Sequence, residues 1–501
     1  MIHFKKIIAF FLVAIIVLTV CSCNKTVDEE DGTAYTEEIE IINPQSPNST
    51  VVPDNVQKPT EDNTNVLNGD TTVSNQSNAT DNQPGKNEQQ TVGDEPPQST
   101  LTSPDSTVND NNTEPEIEPD TNDEPEIDLY EAEMEFLTYQ SNTFVPTGNH
   151  SALFSKNVVT KTFRGVFPVQ QYGKLDYCFY FSNNVDSTWS DGSETYRDMP
   201  TEQYKILSAA IMTTTNEQMS NVKKRTQITF DGQKSRTVEA GEMFWCDPVS
   251  FTVAEGEYLV FEWKVQYTMI PCTKIKGTSI SFESSTGTSF VPATEGVPMP
   301  NMIGANRNKE LNMAFIGDSI TAGEGAGAFN GYVAQISKKM GDTASIWNLG
   351  LGYARANDVV NSPAWLKKAK TASTVAICFG VNDINSGAYQ VGTRTVKEIV
   401  DDIAYIAKQV SDAGAKVVIF STPPYTYKDQ ERVQKWRDVV KGLEKLAKEN
   451  RYSYFDFASC LGSPDDASKP AYGGHPNGDG CTAVANAFMS AYQNGTLSLK
   501  K

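Results

Sequence analysis

Residues 313–321 of this 501-residue chain read MAFIGDSIT and place a serine directly after a short apolar run. The run predicts a buried β-strand, and glycines after Thr321 separate it from the next helical pattern. A serine on a tight turn from strand to helix presents its hydroxyl at the top of the sheet and its backbone N–H at a helix N-terminus. This arrangement suits a nucleophile at Ser319, although a serine at this point is equally typical of a helix N-cap.

The sequence downstream repeats this alternation of apolar runs and helical patterns. Each run is almost continuously apolar, and each connection is long enough for a crossover helix, which predicts a parallel sheet covered on both faces. The predicted strands are 313–316, 345–349, 374–379, 416–420 and 453–457, and the clearest helices are 393–413 and 430–450. We therefore assign residues 307–501 to one α/β domain, with functional residues expected at the carboxyl ends of its strands.

Two further strand ends carry groups that could stabilise a developing negative charge. Asn382 follows the third strand in the sequence GVND. Its amide can donate to an oxyanion, which contributes roughly 3 kcal/mol to acyl transfer, although an Asn-Asp pair in this place is also typical of an Asx turn. Gly352 follows the second strand, where a glycine lets a backbone N–H approach a ligand closely.

The chain contains three histidines, His3, His150 and His475. A serine hydrolase that works near neutral pH normally needs a histidine as its base. His3 lies in an N-terminal segment that is predicted below to be a signal peptide. His150 lies at the edge of the acidic segment that ends near residue 129. His475 lies in the sequence YGGHPN, just before the last helical pattern, where a loop could bring it over the end of the sheet. We therefore predict His475 as the base.

Taken together, Ser319, Asn382 and His475 occur in the order of the SGNH (GDSL-like) hydrolase superfamily, which residues 311–492 resemble. The resemblance implies a flavodoxin-like, three-layer α/β fold without a cofactor. It implies that Ser319 is the nucleophile and an oxyanion N–H donor, that Asn382 is the oxyanion amide and that His475 is the base. Gly352 matches the oxyanion glycine only with a one-residue deletion, because Tyr353 occupies the usual position.

The family commonly has an aspartate three residues before its histidine, and Tyr472 occupies that position here. Of the nearby acids, Asp465, Asp466 and Asp479 do not match the position either, so we predict a Ser-His dyad. A sandwich domain followed by such a catalytic domain resembles family two of the carbohydrate esterases. This resemblance implies an esterase that removes O-acetyl or other short acyl groups, with an acetylated polysaccharide as substrate. A lipase or thioesterase and a non-catalytic glycan-binding lipoprotein are the alternatives.

Residues 130–306 have a different pattern, with short runs of alternating apolar and polar residues separated by turn residues. Many short strands without long helices predict an all-β sandwich, which we expect to be jelly-roll-like. The predicted strands are 161–169, 174–182, 205–214, 225–230, 250–253, 258–268 and 278–283. Aromatic residues in such a unit are more often core than a sugar-binding platform.

The net charge of -21 originates almost entirely in residues 24–129. This stretch has 25 acidic residues against Lys25, Lys58 and Lys86, and is predicted to be a disordered linker. The remainder is close to neutral, which excludes the basic surface that nucleic-acid binding requires. Six cysteines follow the linker without a CxxC pair, so neither a zinc site nor another metal site is predicted, although Cys460 and Cys481 could form a disulfide.

The N-terminus combines Lys5 and Lys6, an apolar run over 7–20 and the sequence CSC. This order is typical of an export signal and resembles a bacterial lipoprotein signal over residues 1–23, with Cys23 as the lipidated residue. We therefore expect a lipid-anchored protein at the extracytoplasmic face of the bacterial cell membrane. A plain secreted protein or an uncleaved anchor is the alternative.

Overall fold

The computed structural model describes residues 40–42, 135–188, 196–274, 276–294, 296–385, 394–462 and 471–500. All of them belong to one compact unit. A second unit, Asn48–Asp128, lies outside the described residues.

The predicted signal peptide over 1–23, its Cys23 and the predicted linker over 24–129 lie outside the described residues, apart from Glu40–Ile42. These assignments stay predictions. Within the described ranges, none of the helices has the length and apolar character needed to cross a bilayer.

Two antiparallel sheets dominate the described residues before 307, which we call the antiparallel region. The larger sheet consists of β1 (Glu40–Ile42), β3 (Ser151–Phe167), β7 (Tyr204–Thr214), β8 (Lys223–Ile228), β9 (Arg236–Val238), β12 (Tyr258–Lys274), β13 (Ile280–Ser284), β14 (Val291–Pro292) and β15 (Gly296–Val297). The smaller sheet consists of β2 (Gln140–Ser141), β4 (Gly173–Ser182), β10 (Met243–Trp245), β11 (Val249–Val253) and β16 (Met302–Ala305), and a separate ribbon pairs β5 (Asn184–Thr188) with β6 (Tyr196–Pro200).

Aromatic side chains connect the two sheets. Phe179 on β4 meets Phe261 on β12 with ring centroids 5.4 Å apart, and Phe181 lies 5.4 Å from Trp263. All four side chains are buried, and each contributes roughly 1.5–3 kcal/mol by leaving water. These aromatics are therefore core residues, and every predicted strand of this region overlaps an observed one. The jelly-roll likeness stays a prediction.

The described residues from 307 onward, which we call the α/β region, contain one parallel sheet. Its strand order is β18-β17-β19-β20-β21, which confirms the predicted parallel α/β architecture. The strands are β17 (Leu311–Gly317), β18 (Ala344–Gly350), β19 (Thr374–Cys378), β20 (Lys416–Phe420) and β21 (Ser453–Phe455). The helices are α1 (Ser319–Ala322), α2 (Tyr332–Met340), α3 (Ala356–Val360), α4 (Pro363–Lys370), α5 (Val381–Asn385), α6 (Val396–Asp412), α7 (Gln430–Asn450), α8 (Ala458–Leu461) and α9 (Gly478–Gln493), with a 3-10 turn at Gly341–Thr343.

The pairing register of this sheet aligns the carboxyl ends of β17, β18 and β19. Gly317 pairs with Gly350 on one side and with Cys378 on the other. The segments that follow these three strands contain Ser319, Gly352 and Asn382 respectively, so all three segments start from the same edge of the sheet.

Buried polar contacts attach the antiparallel region to the α/β region. Lys368 on α4 forms an ion pair with Asp186 on β5, and both side chains are almost fully buried. Arg307 donates to the carbonyls of Ser141 and Ala344 and so links β2 to β18. Breaking a buried ion pair is costly, so these contacts define one arrangement of the two regions.

The disulfide considered between Cys460 and Cys481 is not formed, because both residues are free thiols. Cys481 is buried in the first turn of α9, where its sulfur lies 3.7 Å from the carbonyl oxygen of Pro476. The sulfur of Cys460 faces the carbonyl oxygen of Asp456 instead. The possible bridge between these two cysteines is therefore absent from the structure.

Candidate active site

Helix α1 begins directly at Ser319, because Asp318 is its N-cap. The Asp318 carboxylate accepts a hydrogen bond of 2.9 Å from the backbone N–H of Ile320, and burial raises the pKa of Asp318 to about 7. Gly317 makes this sharp turn possible, since a Cβ there would lie 2.5 Å from the carbonyl oxygen of Cys378. The alternative of Ser319 as a capping residue is thus excluded, and its hydroxyl is available for another partner.

That partner is His475, whose Nε2 lies 2.8 Å from Ser319 Oγ. His475 occupies the turn before α9, and the loop after the nucleophile passes close against it. Gly325 has a φ of +88°, and a Cβ there would lie 2.7 Å from His475 Cβ. The rings of His475 and Tyr425 lie nearly perpendicular to each other, with centroids 5.8 Å apart. The fold therefore brings together a hydroxyl and an imidazole that are far apart along the chain.

The pKa of His475 is lowered, mainly because burial disfavours the charged imidazole. Lys274 lowers it further, and the Glu324 carboxylate opposes both by raising it. A histidine with a lowered pKa is neutral at pH 7 and can accept the proton of a serine hydroxyl. The Ser319–His475 pair has the geometry and the protonation state of a nucleophile with its base.

Glu324 and Lys274 were not predicted from the sequence as part of this site. Glu324 Oε2 lies 3.4 Å from His475 Nε2, and Glu324 Oε1 forms an ion pair with Lys274 at the end of β12. An acidic residue between Gly323 and Gly325, five positions after Ser319, was a signal available in the sequence. Lys274 lies in a strand of the antiparallel region, and no local pattern indicates its position.

Whether His475 works in the predicted dyad or in a triad depends on which carboxylates lie near its imidazole. Among the described residues, only Glu324 has a carboxylate within ion-pair distance of the imidazole, and it approaches Nε2, the nitrogen that contacts Ser319. In a Ser-His-Asp triad the carboxylate contacts the other nitrogen. Asp479 is exposed in the first turn of α9. Asp465 and Asp466, the other two acidic residues close to His475 in the sequence, lie outside the described residues.

The segment that contains Gly352 lies against the helix of the nucleophile. The backbone N–H of Leu351 donates to the carbonyl of Gly317 at 3.0 Å, and a Cβ on Gly350 would lie 2.4 Å from the backbone nitrogen of Ala322. Gly352 is therefore held close to helix α1.

Hydrogen bonds connect helix α5, which contains Asn382, to the same segment. Asn382 Nδ2 donates to the carbonyl of Ala354 at 3.0 Å. Asp383, the next residue, accepts from the backbone N–H of Ala356 at 3.1 Å, and burial raises the pKa of Asp383 to about 6. The segment after β18 and helix α5 after β19 thus form one connected structure beside Ser319.

Tyr353 adopts the left-handed backbone conformation, with a φ of 59°. This conformation favours glycine and is uncommon for a bulky side chain. Tyr353 occupies the position at which the SGNH family usually has its oxyanion glycine. The backbone therefore has a conformation typical of glycine although the residue is a tyrosine. The assignment of the oxyanion N–H to Gly352 stays a prediction.

His150 is buried and does not lie at an exposed edge. Its backbone N–H donates to the carbonyl of Cys272 near the end of β12, and its Nε2 lies 3.0 Å from where a Cβ on Gly352 would be. Burial lowers the pKa of His150 to about 3, so the imidazole is neutral. Across the described ranges, no group of three or more His, Cys, Asp or Glu residues could hold a metal ion.

Comparisons with known proteins match part of this chain. Residues 315–483 match the model of the GDSL-like Lipase/Acylhydrolase family. A search of curated proteins gave no match.

Several solved structures are similar to part of the chain. They include a member of the lipolytic protein G-D-S-L family from Veillonella parvula (19% identity, 36% of this chain and 97% of that chain, TM-score 0.31). A catalytic mutant of Axe2, an acetylxylan esterase from Geobacillus stearothermophilus, has 16% identity over 37% of this chain and 95% of that chain, with a TM-score of 0.30. A GDSL-like lipase from Bacteroides thetaiotaomicron has 18% identity over 36% of this chain and 88% of that chain, also with a TM-score of 0.30.

Proposed function

We propose that this protein is a serine esterase that removes acetyl or other short acyl groups from a polysaccharide. The match of residues 315–483 to the GDSL-like lipase/acylhydrolase (SGNH) family supports this proposal. The observation that carries the proposal is the 2.8 Å contact between Ser319 Oγ and His475 Nε2 at the carboxyl edge of a parallel sheet. Anchoring at the extracytoplasmic face of the bacterial cell membrane through Cys23 is part of the proposal and rests on the N-terminal sequence.

In the proposed mechanism, Ser319 Oγ attacks the acyl carbonyl carbon while His475 Nε2 takes the hydroxyl proton. The carbonyl oxygen becomes an oxyanion that accepts hydrogen bonds from the Ser319 N–H, the Gly352 N–H and the Asn382 amide. The intermediate collapses, the bond to the sugar oxygen breaks, and His475 returns its proton to that oxygen. Water then attacks the acyl-enzyme with His475 as base, which releases acetate and restores the Ser319 hydroxyl.

Asn382→Ala is expected to lower kcat by about 10²-fold to 10³-fold, because one preorganised donor to the oxyanion is lost. Steady-state turnover of p-nitrophenyl acetate measures this effect. Asn361→Ala removes an exposed asparagine of the α/β region and serves as the control, with turnover unchanged. A loss of less than tenfold in a folded Asn382→Ala variant would remove this residue from the oxyanion site.

A groove of about 500 Å³ between the two regions supports a carbohydrate substrate. We call it the aromatic groove, and its walls include Tyr172, Tyr258 and Phe329 together with the charged residues Glu217 and Lys338. Tyr172 is 42% exposed and offers a ring face beside these polar groups, which suits a sugar, whereas a long acyl chain requires an apolar channel.

Part of the aromatic groove is formed by the segment that follows the nucleophile. Its wall contains Ala326, Ala328 and Phe329, which follow Gly325, the residue that packs against His475. We propose that a polysaccharide with one acyl group at Ser319 continues along this groove.

We expect this enzyme to release acetate from acetylated xylan and to hydrolyse p-nitrophenyl acetate at least 100-fold faster than p-nitrophenyl palmitate. Tyr172→Ala should raise KM for the polymer roughly threefold to tenfold, because one stacking surface is lost, and leave p-nitrophenyl acetate unaffected. Tyr405→Ala is the matched control, since both tyrosines are about equally exposed, at 42% and 43%.

Two results would favour one of the alternatives over the proposed activity. Palmitate turnover equal to acetate turnover would favour the lipase alternative on the same domain. Glycan binding without any ester turnover would favour the non-catalytic alternative.

A further inference from the structure

One ion pair connects the antiparallel region to the catalytic imidazole. Lys274 is the last residue of β12, and its ammonium group contacts Glu324 Oε1. It also lies 5.2 Å from the ring centroid of Tyr353. The second carboxylate oxygen, Glu324 Oε2, lies 3.4 Å from His475 Nε2. Lys274 and His475 thus share one carboxylate, with each group on a different oxygen.

All three side chains are partly buried, with exposed fractions of 26% for Lys274, 18% for Glu324 and 34% for His475. Charges in such surroundings interact more strongly than they do in water. Two other polar groups contact His475, the Ser319 hydroxyl and the ring of Tyr425. Tyr472 and Asp479 are close to His475 along the chain, and Asp318 precedes Ser319.

The two charges act on the imidazole in opposite directions. A carboxylate beside Nε2 favours the protonated ring, which is the form that His475 takes after it removes the Ser319 proton. The same carboxylate alone would also favour a proton on Nε2 in the resting enzyme, and Ser319 needs that nitrogen as an acceptor. Lys274 counters this effect, because it occupies one oxygen and adds a positive charge.

We infer that Lys274 and Glu324 are positioning residues that together set the protonation of His475, so that the antiparallel region completes the active site. This inference rests on the proposed esterase function. It assigns the antiparallel region a part in catalysis in addition to the aromatic groove.

The test is the pH profile of kcat/KM for p-nitrophenyl acetate, measured on the full chain. Turnover requires neutral His475, so a higher His475 pKa moves the acid limb to higher pH. Lys274→Met should move the limb to higher pH, because the positive charge is lost and Glu324 is no longer paired. Glu324→Gln should move it to lower pH and reduce kcat on the plateau by roughly 10-fold, because the imidazolium loses its partner.

Lys274→Arg keeps the charge and should retain the wild-type limb. Lys276→Met is the matched control, because it removes an exposed lysine two residues away and should leave the limb unchanged. An NMR titration of the His475 ring in Glu324→Gln and wild-type protein measures the same shift without turnover. It therefore decides the question even if Lys274→Met fails to fold.

Limbs that stay in place in Lys274→Met and Glu324→Gln, or that move in the same direction, would overturn the inference. If Ser319→Ala abolishes turnover in the same preparations, only this inference fails. If Ser319→Ala keeps its turnover, the proposed function fails instead.

Discussion

Ser319→Ala is expected to lower kcat for p-nitrophenyl acetate by about 10⁴-fold to 10⁶-fold, the range observed when a serine hydrolase loses its nucleophile. The reason is that no acyl-enzyme can form without the hydroxyl that lies 2.8 Å from His475 Nε2. Binding and the oxyanion donors remain, so a residual rate above that of water is expected. Burst kinetics and steady-state turnover on the full chain measure the loss.

Covalent labelling provides an independent measurement of the same residue. A fluorophosphonate should label the wild-type protein once, at the peptide that contains Ser319, and should not label Ser319→Ala. Ser490→Ala removes an exposed serine of α9 and is the matched control, with labelling retained. Undiminished labelling of Ser319→Ala would mean that another residue is the nucleophile.

The parallel sheet could be predicted because buried strands have a simple sequence pattern. A strand covered on both faces is apolar along its whole length, as in 313–316, and the observed strand Leu311–Gly317 contains that run. The helix Gln430–Asn450 was predicted with the same bounds, since its amphipathic pattern is long and regular. Short strands such as Arg236–Val238 have too few residues for a recognisable period and were missed.

The candidate site could be predicted only where chemistry restricts the choice. His475 was found because few histidines exist, and Ser319 because of its place after a strand. The sequence could not decide whether Ser319 caps the helix, since Asp318 and Ser319 are both good capping residues. The structure decides this through the hydrogen bond between Asp318 and Ile320.

The contact between Lys274 and Glu324 could not be predicted, because it depends on how two regions of the chain pack against each other. Its position follows from long-range contacts such as the buried pair of Lys368 and Asp186. His150 was misplaced for the same reason, since its burial depends on the end of β12.

His475→Ala is expected to lower kcat about as far as Ser319→Ala, by about 10⁴-fold to 10⁶-fold, because the serine hydroxyl then has no base. The two residues act as one unit, so the double variant should be no slower than either single variant. Additive losses would mean that each residue works independently, contrary to the hydrogen bond between them. Turnover of p-nitrophenyl acetate and circular dichroism of each variant check this expectation.

The same assay decides between a dyad and a triad. In a triad, replacing the carboxylate by its amide costs roughly 10⁴-fold in turnover. Tyr472 occupies the position of the usual aspartate, so Asp465→Asn, Asp466→Asn and Asp479→Asn are each expected to leave most of the turnover. If one of these amides lowers kcat as far as His475→Ala does, with the fold intact, that aspartate orients the imidazole. Retained turnover in all three would leave His475 dependent on a carbonyl or on Glu324, whose amide variant separates those two possibilities.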